Sequence, residues 1–353
     1  MLFIWQDMMH IFDIGLSKFN ILLINSIHPF WIAVLLLPLI LLVWYAIRLA
    51  RQYFSEETDK KNIHGLLSYH VSPKILDELL SNPEKINFAG ERKDCTFLSA
   101  ELNGFNRLKD DVSPKELIEL LNNYLAEISK IIQQNNGTLD RHDGNIIRAF
   151  FGAPLSMENH ALQACKTALQ LQNMFDETSK KWKEKGFPDL HLRIGICSGA
   201  AVAGAVGAGS NAVYTALGES VGLSRKLMNT NKVYGTSILI GESTYFRADG
   251  FLVGRQLDLL RVRESRMPIK IFELMSLKEE PLDVSTRESL EYFREGYNLY
   301  LEHNWDWAMN KFRQVLQINR DDAPARLYLF RCQEFLENPP ETEWDGVYSV
   351  KSK

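Results

Sequence analysis

Three stretches of this 353-residue chain join small, flexible residues to charged or amide ones: SAELNGF (99–105), DRHDGNIIRAFFGAP (140–154) and VYTALGESVGLSRKL (213–227). A phosphate or metal site needs that arrangement, with polar groups converging from strand ends and turns. Any one stretch alone would read as a turn with solvated side chains. The three together, in order, call for a scaffold that brings them to one place.

The elements that would position them alternate in type. CTFLSAEL has strand character, PKELIELLNNYLAEISKIIQQ is an amphipathic helix, and NNGTLDRHDGNIIRAFFG reads as two short strands around a turn. ENHALQACKTALQLQNMFDETSKKW is a second helix, LHLRIGICSGAAVAGAVG a strand pair rich in small residues, and TSILI and IKIFEL are further strands. The pattern predicts an α+β domain over 92–276, with helices on one face of a mainly antiparallel sheet. Upstream, HVSPKILDELLSNPEK predicts a short helix opened by Ser72-Pro73, with Ile75, Leu76, Leu79 and Leu80 on one stripe. Downstream, 285–338 predicts three helices resembling tetratricopeptide repeats. Only about one and a half repeats are present and a solenoid needs about three, so packing on the domain or a dimer contact is preferred to peptide binding. Residues 339–353 form a C-terminal extension.

Taken together, these motifs resemble the class III adenylate and guanylate cyclases. The resemblance runs from SYHVSPKILDELLSNPEKINFAGERK, similar to the transducer helix and lead-in of bacterial membrane cyclases, through NNGTLDR, FFGAPL, LRIGICSG, VAGAVG, YTALGE and YGTSILIGESTY to IKIFEL. It extends to Trp344–Val347 in the tail and covers roughly 63–350. It implies a ferredoxin-like cyclase fold acting as a head-to-tail homodimer or heterodimer, with ATP or GTP bound across the interface. It also implies two divalent ions, Mg or Mn, that activate the ribose 3′-hydroxyl and neutralise phosphate charge.

Carried over position by position, the resemblance meets substitutions. The two metal-binding aspartates correspond to Glu101 and Asn145. Glutamate adds a methylene and asparagine removes a negative charge, while Asp143 stands two residues away as a possible substitute. The asparagine and arginine that orient ribose and stabilise charge correspond to Gly222 and Lys226. Gly222 has no side chain, Lys226 lacks the planar fork, and Arg225 faces another side of the helix. The base-reading pair corresponds to Arg141 and Glu219, and the phosphate-binding lysine to Arg263. The expectation is a catalytically degenerate cyclase that acts through dimerisation, nucleotide binding or partner binding. Two alternatives stay open: an active adenylate cyclase holding metal with Glu101 and Asp143, and a scaffold that captures a protein partner with its tail.

The remaining composition narrows the class. A formal charge of −4 gives no basic face for nucleic acid. Cys95, Cys165, Cys197 and Cys332 lie far apart, without a CxxC pair, which predicts buried reduced thiols. Pro29–Ile47 carries no charge and predicts a transmembrane helix over 29–50, with Trp31 near one end and Trp44 and Tyr45 near the other. Arg48, Arg51, Lys60 and Lys61 follow the run and only Lys18 precedes it, which places the body in the cytoplasm. Residues 1–28 read as a juxtamembrane segment or part of another span, and 51–91 as linker and transducer helix.

Overall fold

A long strand, β1 (Glu91–Asn103), lies between two others and is buried on both faces from Cys95 to Ala100, which explains its nearly unbroken apolar run. The computed structural model describes residues 29–105, 112–184, 186–207, 212–261, 268–341 and 344–347, with 29–37, 39, 50 and 52–59 described in backbone only. The chain divides into two units, Met1–Asn62 and Ile63–Lys353. In the first, helix α1 (Pro29–Leu67) begins. It continues through the polar residues 52–65, read from sequence as part of the linker, because they contain no glycine or proline before Gly65. Among the described residues no helix is long and apolar enough to cross a membrane. The span expected at 29–50 is thus not shown; the side chains of its first half, like the whole of 1–28, lie outside the described residues.

In the second unit, α2 (Pro73–Ser81) forms as predicted, with the Ser72 side chain accepting from Ile75 N and with Ile75 and Leu79 buried. After β1 come α3 (Pro114–Gln134), β2 (Thr138–Asp143), β3 (Ile146–Phe151), α4 (His160–Glu184), β4 (His191–Val206), β5 (Val213–Leu217), α5 (Glu219–Tyr234), β6 (Ile238–Gly241), α6 (Glu242–Arg247), β7 (Leu252–Leu260) and β8 (Ile269–Leu277). The sheet order is β2-β3-β1-β4-β6-β8-β7, with β5 paired to β4. A capping box between Ser113 and Glu116 starts α3, whose Leu120, Tyr124, Ile128 and Ile132 recur every fourth residue and enter the core.

The sheet is mainly antiparallel as expected; one pairing departs from that, and two further expectations change. The sheet is mixed, because β4 and β6 pair in parallel across the α5 crossover. Helices cover both faces, α3 and α4 on one, α5 and the tail on the other. LHLRIGICSGAAVAGAVG is not a strand pair but the single strand β4. Its glycines serve close approach instead of a turn: a Cβ on Gly195 would lie 2.1 Å from Ser224 O, and one on Gly204 2.8 Å from Gly90 Cα. Strand β7 carried no clear sequence signal.

The tail forms α7 (Val284–Leu301), α8 (Trp305–Ile318) and α9 (Ala323–Glu337), which share an apolar core with Leu227, Leu239, Leu257 and Ile271 of the sheet side. Two buried charge groups fasten it to β7. Arg255 reaches Glu273 at 2.7 Å and Asp322 at 2.8 Å, and Arg331 reaches Asp258 at 2.5 Å, where the Tyr234 hydroxyl also donates at 2.5 Å. Repeat character is not shown for these helices; their packing on the domain is. All four cysteines are buried, and burial pushes Cys95, Cys165 and Cys332 up to about 12 and Cys197 up to about 11.

Candidate active site

Strand register sets the site. Arg141 (β2), Arg148 (β3), Ser99 (β1) and Gly195 (β4) fall in one row, and Asp143, Ile146, Glu101 and Arg193 in the next. The face they occupy is the one under α5. The Ser99 and Ser224 hydroxyls meet at 3.0 Å, and Ala100, Ile147, Leu192 and Ile194 fill the opposite core. Asp143 and Glu101 thus share a face but stand two strand spacings apart, about 10 Å, with Ile146 between them.

Asn145 follows Gly144, which takes the turn with φ 59°. Its carbonyl accepts from Leu102 N at 2.9 Å and its side-chain Nδ2 donates to Leu102 O at 2.8 Å. This pair of bonds pins the hairpin to β1. An aspartate there has no hydrogen for the second bond. Behind the sheet, burial and then the charge of Glu101 hold the Tyr124 phenol well above its ordinary range.

The donor set does not fit two divalent cations. It offers one half-buried carboxylate at Glu101, an amide whose nitrogen is committed to Leu102, and an exposed Asp143 beyond Ile146. Among the described residues no three His, Cys, Asp or Glu side chains cluster to hold a metal.

The remaining expected residues sit elsewhere. Lys226 Nζ donates to Arg261 O at 2.8 Å, and the Arg261 guanidinium pairs with Asp345 of the tail. Gly222 is exposed, and a Cβ there would meet nothing within 4 Å, so packing does not require the glycine. Glu219 is the exposed first residue of α5, where an acid suits the helix dipole. Arg141 lies 3.6 Å from Asp140, not on Glu219, and the other Asp140 oxygen accepts from Thr215 at 2.5 Å. Arg263 lies outside the described residues.

Two residues on this face escaped sequence reasoning. Arg148 and Arg193 are half-buried, and neither guanidinium has an ion pair or hydrogen bond among the described residues. Alternation along IIRAFF and LRIGI, set against Glu101, is the signal that could have found them.

The comparisons with known proteins agree with this architecture. Residues 89–268 match the sequence model of the adenylate and guanylate cyclase catalytic domain. Adenylate cyclase 1 of Rhizobium meliloti (strain 1021) is 27% identical over 189 residues, 54% of this chain and 28% of that protein. The adenylate cyclase of Anabaena cylindrica is 31% identical over 156 residues, 44% of this chain and 31% of that protein. This chain therefore spans less than a third of either relative's length. Among solved structures, the adenylyl cyclase CyaB from P. aeruginosa superposes with a TM-score of 0.50 at 26% identity, covering 55% of this chain and 99% of that one. The guanylyl cyclase Cya2 gives a TM-score of 0.50 at 26% identity, covering 54% and 95%. On the strength of its matched residues and its sheet, the chain belongs to the adenylate and guanylate cyclase catalytic domain family.

Proposed function

We propose that this chain is a membrane-anchored signalling member of the family that dimerises through its cyclase domain and binds nucleotide, but does not cyclise it unaided. One observation carries the reading: Asn145, whose Nδ2 donates to Leu102 O, leaves only a neutral amide oxygen where a second metal-binding carboxylate would be needed. Gly222 adds to it, since it offers no group to orient the ribose. Losing one electrostatic stabiliser costs about 3–4 kcal/mol of transition-state stabilisation, so losses on both sides of a composite site suppress turnover together.

A regulatory role is supported by the lead-in. Leu139 N donates to His70 O at 2.7 Å, and His70 Nδ1 lies 2.6 Å from Leu139 O. That ties the segment before α2 to β2 two residues ahead of Arg141, next to an irregularity in the β2–β3 register. Anchoring through 29–50 belongs to the same proposal and rests on the uncharged run and on the exposed Ile40, Leu41, Trp44 and Tyr45. Vesicle flotation of a chain lacking 29–50 tests the anchor, and unchanged flotation contradicts it.

The activity test uses the full chain in detergent with ATP or GTP and Mg²⁺ or Mn²⁺. The expected result is cyclic nucleotide at background. Robust turnover abolished by both Glu101→Ala and Asp143→Ala would overturn the reading in favour of an active cyclase.

A further inference from the structure

We infer that the cleft between β7 and the tail helix α7 is a binding site for a small organic anion with a flat apolar body, and that its occupant braces the tail against the domain. The site lies on the last strand of the sheet, at the opposite edge from β2, and the inference does not depend on the nucleotide reading above.

The strand shapes one wall. Its register with β8 is irregular between Val253 and Gly254 and again between Gln256 and Asp258. Such irregularities bend a strand and re-aim its side chains, and they are common beside binding sites. Residues 254–256, between the two, line the cleft on one side and α7 lines it on the other. Gln256 Nε2 joins the walls by donating to the Tyr297 hydroxyl at 3.3 Å. The cleft has a volume of about 530 Å³, within the roughly 300–1,000 Å³ of small-molecule sites.

The lining is of two kinds. Tyr245 of α6 and Phe272 of β8 stack with ring centroids 4.1 Å apart and planes 6° apart, and Leu290 faces the same space. This apolar part is already ordered and suits a flat ring. The charged part is mostly positive. Arg255 lines the cleft, whereas Glu273 and Asp322, which hold it, do not. Arg287 and Arg294 lie two helical turns apart on α7, with Glu291 between them and 3.2 Å from Arg294. Two exposed arginines against one exposed glutamate give this stripe a net charge of +1. A carboxylate answers that charge, and a guanidinium fork receives it in bidentate fashion. An occupant held this way touches the domain through Tyr245 and Gln256 and the tail through α7, so it favours the packed arrangement over any in which they separate.

Calorimetric titration of the full chain in detergent with 2-naphthoate, its neutral carboxamide and acetate tests this, with micelle-only blanks subtracted. The expected result is saturable one-to-one binding of 2-naphthoate, with the carboxamide and acetate each roughly tenfold weaker or more. Arg287→Gln and Arg294→Gln each weaken 2-naphthoate by about fivefold or more. Both positions are exposed, so the variants keep the fold, and unfolding without ligand verifies it. Amide hydrogen exchange in α7 slows when 2-naphthoate is bound. No saturable binding of 2-naphthoate, equal binding of the carboxamide, or undiminished binding in both glutamine variants overturns the site. Unchanged exchange in α7 with ligand bound overturns the bracing. None of these outcomes bears on whether the chain cyclises nucleotide.

Discussion

The seam between β7 and the tail and the sheet face beneath α5 treat charge in opposite ways. At the seam, Arg255, Asp322, Asp258 and Arg331 are buried and Glu273 is half-buried, and all are paired within 2.5–2.8 Å. Under α5, Glu101, Arg148 and Arg193 are half-buried neighbours without ion pairs among the described residues. The first arrangement fixes one packing of the tail on the domain. Among the described residues the second leaves charge unpaired, which a fold tolerates where solvent, a ligand or another part of the chain completes it.

Breaking the seam gives the largest effect. Arg331→Met leaves Asp258 buried with neutral donors, the Tyr234 hydroxyl and Leu259 N, in place of its cation, at a cost of about 3–5 kcal/mol. Urea unfolding measures it, and a loss below about 1 kcal/mol would dissolve the contrast. Asn145→Asp comes next. It removes the donor to Leu102 O and sets a carboxylate against that carbonyl, for an expected loss of about 1–3 kcal/mol in EDTA. Mg²⁺ should restore part of that loss, which sharpens the comparison by turning a structural amide into a ligand.

A pH titration isolates a third buried group. His160 is pulled below its ordinary value of 6.5 chiefly by burial, partly opposed by Asp94 and reinforced by Arg247. The unfolded chain therefore takes up this proton first as pH falls. Stability contributed by the neutral ring is complete above about 6.5 and is lost as pH drops from there toward the lower folded value. Unfolding midpoints between pH 8 and 5 should show that decline, and His160→Gln should flatten it. The smallest effect is at Gly222. A Cβ there meets nothing, so Gly222→Ala should stabilise α5 by about 0.5–1 kcal/mol, read as a small rise in Tm.

The sequence carried the strands and helices whose pattern is local. The amphipathic pattern of 114–134 and the Ser72-Pro73 start were legible, because each lies within one turn or one helix face. The mixed sheet was not, since the β4–β6 pairing depends on how α5 crosses, a relation between distant segments. The same limit applied at the site. Glu101 and Asn145 stood out by motif, whereas the committed amide of Asn145 and the bracket of Arg148 and Arg193 exist only once β1, β3 and β4 are in register. Small residues in β4 misled for a related reason, since a glycine that admits α5 looks like a glycine that makes a turn.

The central claim is that turnover is absent because of the side chains at four positions and not because of the scaffold. The direct measurement is the rate of cyclic nucleotide formation by the full chain carrying Glu101→Asp, Asn145→Asp, Gly222→Asn and Lys226→Arg together, set beside the unaltered chain, with Mn²⁺ and ATP or GTP. The account predicts background product from the unaltered chain and metal-dependent product from the fourfold variant. Equal, substantial rates from both would contradict it.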